Sequence, residues 1–267
     1  MCCHKAKLII PLIMIVIAIL SFTPSCKPST EDTQRNHFCT LLPGKSLRDT
    51  MFFPEFLGSS MFKWKKKTTL KVYFFNGEKD QQQKTIQIAN EWANYCNMKF
   101  EQSDNVGLSD IRVTFRTNRG YCSYVGNEAD SFPRDTTMFL QDIDEDLKNG
   151  NTDARRIILH EFGHGLGLNH ELQHPDAAIP WDTAAVYTYY KEKFKWEPPL
   201  TYQQVFEKIN DIGLKSQFDT TSIMVYAVPS ELTLDKKYTI RWPENLSETD
   251  KKYIKKYYKP IKPQNHE

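Results

Sequence analysis

Residues 160 to 171 read His-Glu-Phe-Gly-His-Gly-Leu-Gly-Leu-Asn-His-Glu, and no other stretch of the chain restricts its fold and chemistry so tightly. His160 and His164 are four apart, so on an α-helix their imidazoles lie on one face and can grip one ion, for which zinc is suited. Continuing that helix to His170 would carry it about 15 Å further along the axis, whereas zinc-ligand nitrogens all sit roughly 2.0 to 2.1 Å from the metal. The helix must therefore stop. Gly167 falls where a chain leaving a helix needs a positive φ, which glycine reaches without a Cβ penalty, and the turn returns His170 to the ion. Three neutral imidazoles leave the dication its full charge and one position for water, as in a catalytic rather than a structural site. Glu161, beside the first ligand, is placed to take the water's proton during attack on a carbonyl and to pass it to the leaving amine. The expected cofactor is one catalytic Zn2+ held by His160, His164 and His170.

The flanks bound the rest. His4, Lys5 and Lys7 precede an apolar run, Leu8 to Leu20, interrupted only by Pro11, before Ser21 to Cys26 turns polar and small. The run is shorter than the roughly 20 residues that cross a bilayer, so it reads as a secretory signal over residues 1–25, and the chain is expected to be exported to the cell envelope or beyond. Thr23-Pro24-Ser25-Cys26 resembles the bacterial lipoprotein cleavage box, which would lipidate Cys26 and attach the protein to a membrane. Residues 26–60 read as a linker or pro-segment, 61–260 as one catalytic domain and 261–267 as a tail. A net charge of +2 leaves no footprint for a polyanion, so no nucleic-acid partner is expected. Beyond Cys26 only Cys39, Cys96 and Cys122 remain, an odd number that implies one bridge and one leftover thiol in an oxidising compartment.

Thr68 to Phe75 is rich in β-branched and aromatic residues and ends at Asn76-Gly77, a strand and turn. Asp80 to Cys96 has Ile88, Trp92 and Tyr95 at helical spacing, Ile111 to Phe115 alternates as a second strand, and Thr136 to Leu140 gives a third. Thr152 or Asp153 can cap the histidine-bearing helix. Short helices are expected near Thr183 to Lys193 and Tyr202 to Asn210, and Ser247-Glu248-Thr249-Asp250 is a capping-type start for a helix through Tyr258. The basic run Lys63 to Lys67 around Trp64 reads as a solvated approach to the first strand.

His160 to His170 matches the metzincin signature HExxHxxGxxH, and the following Glu171 makes the chain resemble the astacin family most closely, in its bacterial branch. The implied fold is α+β and metzincin-like: an N-terminal twisted mixed β-sheet with two long helices, an active-site helix, and a smaller irregular and helical C-terminal subdomain. Ser222-Ile223-Met224-Val225-Tyr226 resembles the family's Met-turn, which gives Met224 the role of an apolar floor under the zinc and Tyr226 that of a phenol approaching it. Tyr226 could then hydrogen-bond the oxyanion of the tetrahedral intermediate. Cys122-Ser123-Tyr124-Val125-Gly126 resembles a segment of astacins, and Thr136 to Leu140 stands where metzincins place the edge strand above the cleft, to which an extended peptide could add. In astacins the glutamate after the third histidine contacts the buried mature N-terminus, which would be the task of Glu171.

The resemblance implies a zinc endopeptidase acting as a monomer on protein or peptide substrates. Alternatives are a matrixin-type metzincin, set apart by Asp where this chain has Glu171, and a non-catalytic surface binding module on the same fold. His174 stands where many astacins carry an arginine that helps to choose acidic side chains. No cysteine lies between Ser123 and the zinc helix, so the family's bridge from the Cys122 position cannot form as usual, and Cys96 with Cys122 is the substitute pairing. Cys39, upstream of the domain, could supply a thiolate to the zinc in a latent form, as cysteine switches do in related metzincins.

Overall fold

The computed structural model describes residues 39–41, 62–209 and 216–259. The signal segment, Cys26, most of residues 26–60 and the tail lie outside the described residues. Six strands form one sheet: β1 (Cys39–Leu41), β2 (Thr69–Phe74), β3 (Lys99–Gln102), β4 (Ile111–Thr114), β5 (Tyr121–Ser123) and β6 (Met138–Leu140), in the spatial order β1-β5-β6-β4-β2-β3. Pairing is parallel except between β5 and β6, so the sheet is mixed, as expected. In β2 the period-2 pattern places Leu70, Val72 and Phe74 in the core while Lys71 stays exposed.

Two helices, α1 (Lys79–Ala89) and α3 (Asp153–Gly165), contact each other, with the shorter α2 (Ile143–Lys148) beside them. Phe162 on α3 meets Phe100 of β3 edge-to-face with ring centroids 4.8 Å apart. A Cβ at Gly165 would come within 3.0 Å of the Ile111 side chain, so the glycine lets α3 lie close on β4. Buried indoles tie down the helix backbone: Trp92 Nε1 donates to the Leu159 carbonyl (3.0 Å) and Trp64 Nε1 to that of Gly165 (2.7 Å). These bonds satisfy the one polar atom of each large apolar ring.

A second apolar cluster, built on Leu172, Val186, Tyr190, Val205, Val225 and Val228, forms the C-terminal subdomain. It contains α4 (Thr183–Phe194), capped by Asp182, and α5 (Pro198–Thr201), which runs into a π turn at Tyr202–Phe206 where a longer helix was expected. The chain returns to the first cluster through α6 (Glu248–Tyr257), whose Ser247 and Asp250 form the capping box read from the sequence.

Two expectations are corrected. Thr136 to Leu140 is not the sheet edge, because β6 is paired on both sides, by β4 and β5. On that side of the sheet the last strand of the domain proper is β5, buried at all three positions and so without alternation, and β1 pairs along it with Cys39 opposite Tyr121, while β3 forms the other edge. Cys96 and Cys122 are not joined. Cys96 leads into β3, and β3 lies four strand spacings of roughly 4.8 Å from β5. A disulfide spans Cα atoms only about 4.4 to 6.8 Å apart.

Candidate metal centre

Helical spacing on α3 sets His160 and His164 on one face, their Nε2 atoms 3.2 Å apart. The helix ends at Gly165, Leu166 caps it, and Gly167 takes φ +93°, the conformation its sequence position called for. The chain then doubles back and brings His170 Nε2 to 3.0 Å from His164 Nε2. All three rings are buried. Burial holds the imidazoles neutral, pulling His164 down to about 4 and the other two well below their ordinary value.

Backbone carbonyls fix the tautomers. His160 Nδ1 lies 2.8 Å from the Ile223 oxygen and His164 Nδ1 2.8 Å from the Leu168 oxygen, so each Nδ1 carries the proton and each Nε2 turns a lone pair inward. Three ring nitrogens, two of them fixed as acceptors, thus converge with their ligand atoms within 4.8 Å of one another. Tetrahedral ligands about 2.0 to 2.1 Å from a zinc ion lie roughly 3.3 Å apart, so the donor set fits that ion with shifts of a few tenths of an ångström.

Met224 packs against the ligand-bearing helix at Gly163. A Cβ on Gly163 would come within 2.4 Å of the Met224 sulfur, which shows how closely the thioether packs on the helix and why that position carries glycine. The turn holding Met224 is anchored from α6. Asp250 accepts from Ser222 Oγ (2.7 Å), from the Ile223 N–H (2.8 Å) and from the Ser247 N–H (2.8 Å). Through Ile223, whose N–H donates to Asp250 and whose carbonyl oxygen faces His160, the C-terminal helix is connected to one of the three converging imidazoles. Tyr226 is fully buried with its phenolic oxygen 2.7 Å from His170 Nε2.

A small cavity of about 10 Å3 beside the histidines is lined by Tyr121, Arg156, His160, Glu161, Tyr226 and Trp242, together with Ile157. The predicted base, the predicted phenol and one ligand therefore meet in one space. Arg156, one turn before His160 on the same face of α3, is buried with its guanidinium 4.4 Å from the Trp242 ring centroid and its Nε 3.5 Å from Asp153. A larger cavity of about 110 Å3 is lined by Glu171, His174, Asp250 and Tyr253 among others. Glu171 accepts from the Asp219 N–H (2.8 Å), and burial pushes its carboxyl up to about 8.

Sequence reasoning missed Arg156, Trp242, Tyr121 and the part Asp250 plays in anchoring the Met-turn. Helical spacing from His160 could have found Arg156. The carbonyl partners of the histidines left no side-chain signal, and Asp250 was legible only as a cap.

Comparison with known proteins agrees with this geometry. Residues 58–259 match the family model described as Astacin, a peptidase family. The zinc metalloproteinase dpy-31 of Caenorhabditis elegans is 27% identical over 192 residues, covering 70% of this chain and 28% of that protein. Its counterpart in Teladorsagia circumcincta has the same identity and coverage, so the chain spans less than a third of the length of these relatives. A solved structure of myroilysin matches with TM-score 0.70 and 33% identity, covering 76% of this chain and 98% of that one. High choriolytic enzyme 1, a hatching enzyme zinc-protease from the medaka Oryzias latipes, shares the fold at TM-score 0.52 with 17% identity, over 75% of this chain and 96% of its own.

Proposed function

The chain belongs to the astacin family of peptidases, and from that membership we propose that it is a zinc-dependent endopeptidase hydrolysing peptide bonds in proteins, with Glu161 as general base. The observations that support this reading are the convergence of three imidazoles and the meeting of one of them, His160, with a buried glutamate and a buried phenol in one cavity. His160, His164 and His170 would hold the ion, which when bound polarises the scissile carbonyl and makes water a better acid. Glu161 takes the proton of the attacking water and delivers it to the departing amine, within reach because it follows the first ligand on the same helix. Tyr226 donates its O–H to the oxyanion as charge develops there, a contact absent from the ground state. Glu171, where matrixins carry Asp, supports the astacin-type reading over the matrixin-type one.

Residues 26–60 act as a pro-segment in this reading. The pairing of β1 along β5 supports it, because the strand lies on the edge that an extended substrate would use and Cys39 sits in register with Tyr121 of the catalytic cavity. Cys39 is the latency ligand, and Glu171 receives the amine of the mature N-terminus. The protein is exported, and Cys26 carries its lipid.

Zinc analysis with casein hydrolysis tests the function, comparing the Cys39→Ser chain with the same chain carrying Glu161→Ala. Bound zinc in both and hydrolysis only in the first is the expected result. Zinc retained in both with no hydrolysis by either would leave a binding module on this fold.

A further inference from the structure

Lys63 to Lys67 acquires a second half in three dimensions. A groove of about 390 Å3 is lined by Lys63, Lys66 and Lys67 on the segment leading to β2 and by Lys256 and Lys259 at the end of α6, with no carboxylate lining it among the described residues. Trp64, Tyr257 and Tyr258 form its floor and are buried. Lys63 Nζ stands 5.0 Å and 5.3 Å from the Tyr257 and Tyr258 ring centroids, and Lys67 is paired with Asp110. Lys66, Lys256 and Lys259 are exposed and form no ion pair among the described residues. Five ammonium groups thus share one groove in a chain whose total charge is only +2, and none of them lines the histidine cavity.

We propose that this groove docks the protein on an anionic lipid surface, with headgroup phosphates lying among the lysines. Charge complementarity selects the phosphate, and two features select a lipid surface over a nucleic acid. The aromatic rings are turned into the core, so no platform is offered on which bases could stack. Among the described residues the cations of the groove are all lysines, flexible point charges without the bidentate fork that arginine brings to base edges and individual phosphates. A lysine near an anionic bilayer strengthens binding by a factor of about five, so the four lysines not committed to Asp110 contribute on the order of several hundred-fold together. That is weak, reversible attachment, of the strength that becomes stable when combined with a lipid chain.

The test is co-sedimentation of the mature-length chain, residues 27–267, which lacks both the apolar leader and the acylation site, with vesicles of phosphatidylcholine alone or mixed with phosphatidylglycerol. Binding is expected to the mixed vesicles only, to disappear in molar salt, and to fall about 100-fold in the triple variant Lys66→Ala, Lys256→Ala, Lys259→Ala. These side chains are exposed, so the triple variant should melt like the parent and keep its peptidase activity. Equal partition into both vesicle types, binding unchanged in the triple variant, or retention by duplex DNA or free polyphosphate in place of vesicles would each overturn the proposal.

Discussion

Gly167→Ala probes the turn that brings His170 to its partners. At φ +93° an L-residue meets its own carbonyl, a strain of about 1 to 2 kcal/mol, and the new Cβ would lie 3.2 Å from the Phe62 oxygen and 3.4 Å from the Tyr257 hydroxyl. Part of this is offset because alanine restricts the unfolded chain by about 0.4 to 1 kcal/mol. A metal-free protein can relax the turn, whereas a bound ion demands the original position of His170. Zinc affinity should therefore fall by the strain that relaxation relieves, a factor of about 5 to 30. Gly150→Ala is the control, since Gly150 has φ +72° but nothing within 4 Å of a built Cβ, so it should lose comparable stability and no zinc affinity. Competition of each variant with a chromophoric zinc chelator, beside a thermal melt, supplies both readings. Were Gly167→Ala to bind zinc as tightly as Gly150→Ala while melting alike, the coupling between turn and third ligand would be refuted.

Three further outcomes are expected. Glu161→Gln should keep its zinc, read by elemental analysis, while peptide hydrolysis falls by about 10² to 10⁴, the usual contribution of a general base. Asp250→Ala removes the acceptor of three donors and should cost about 3 kcal/mol in denaturant unfolding and about tenfold in zinc affinity, with Asp250→Asn milder on both because one oxygen still accepts from the Ile223 N–H. In chelator-stripped protein, the unfolded histidines bind protons below 6.5 that the buried rings refuse, so stability should fall as pH drops from 6.5 towards 4, by up to roughly 1.4 kcal/mol per pH unit for each ring. A melting temperature flat across that window would contradict the buried, neutral state.

What the sequence revealed and what it hid follow from the range of the forces involved. The ligand turn was legible because helical spacing and a glycine's φ are local properties, and so was the capping box of α6. Strand β2 declared itself through six alternating residues, while β3 carries a single apolar residue, Phe100, and β5 is buried at all three positions, so neither shows a period. The edge was misplaced for the same reason: being outermost is a property of pairing, and Met138–Leu140 looks the same with one neighbour or two. The cysteine pairing failed because chain order says nothing of β6, β4 and β2, which separate the strand of Cys122 from the one that Cys96 enters. Arg156 over Trp242 joins residues far apart in sequence, and the Ile223 and Leu168 carbonyls that fix the histidine tautomers belong to the backbone, which every residue shares.

X-ray absorption at the zinc edge, recorded on the zinc-loaded Cys39→Ser chain, addresses the ligand set without reference to activity. Three imidazole nitrogens and one oxygen at about 2.0 to 2.1 Å are expected. A spectrum fitted by two imidazoles, or a chain that retains no zinc through purification, would show that His170 does not join His160 and His164 around the ion.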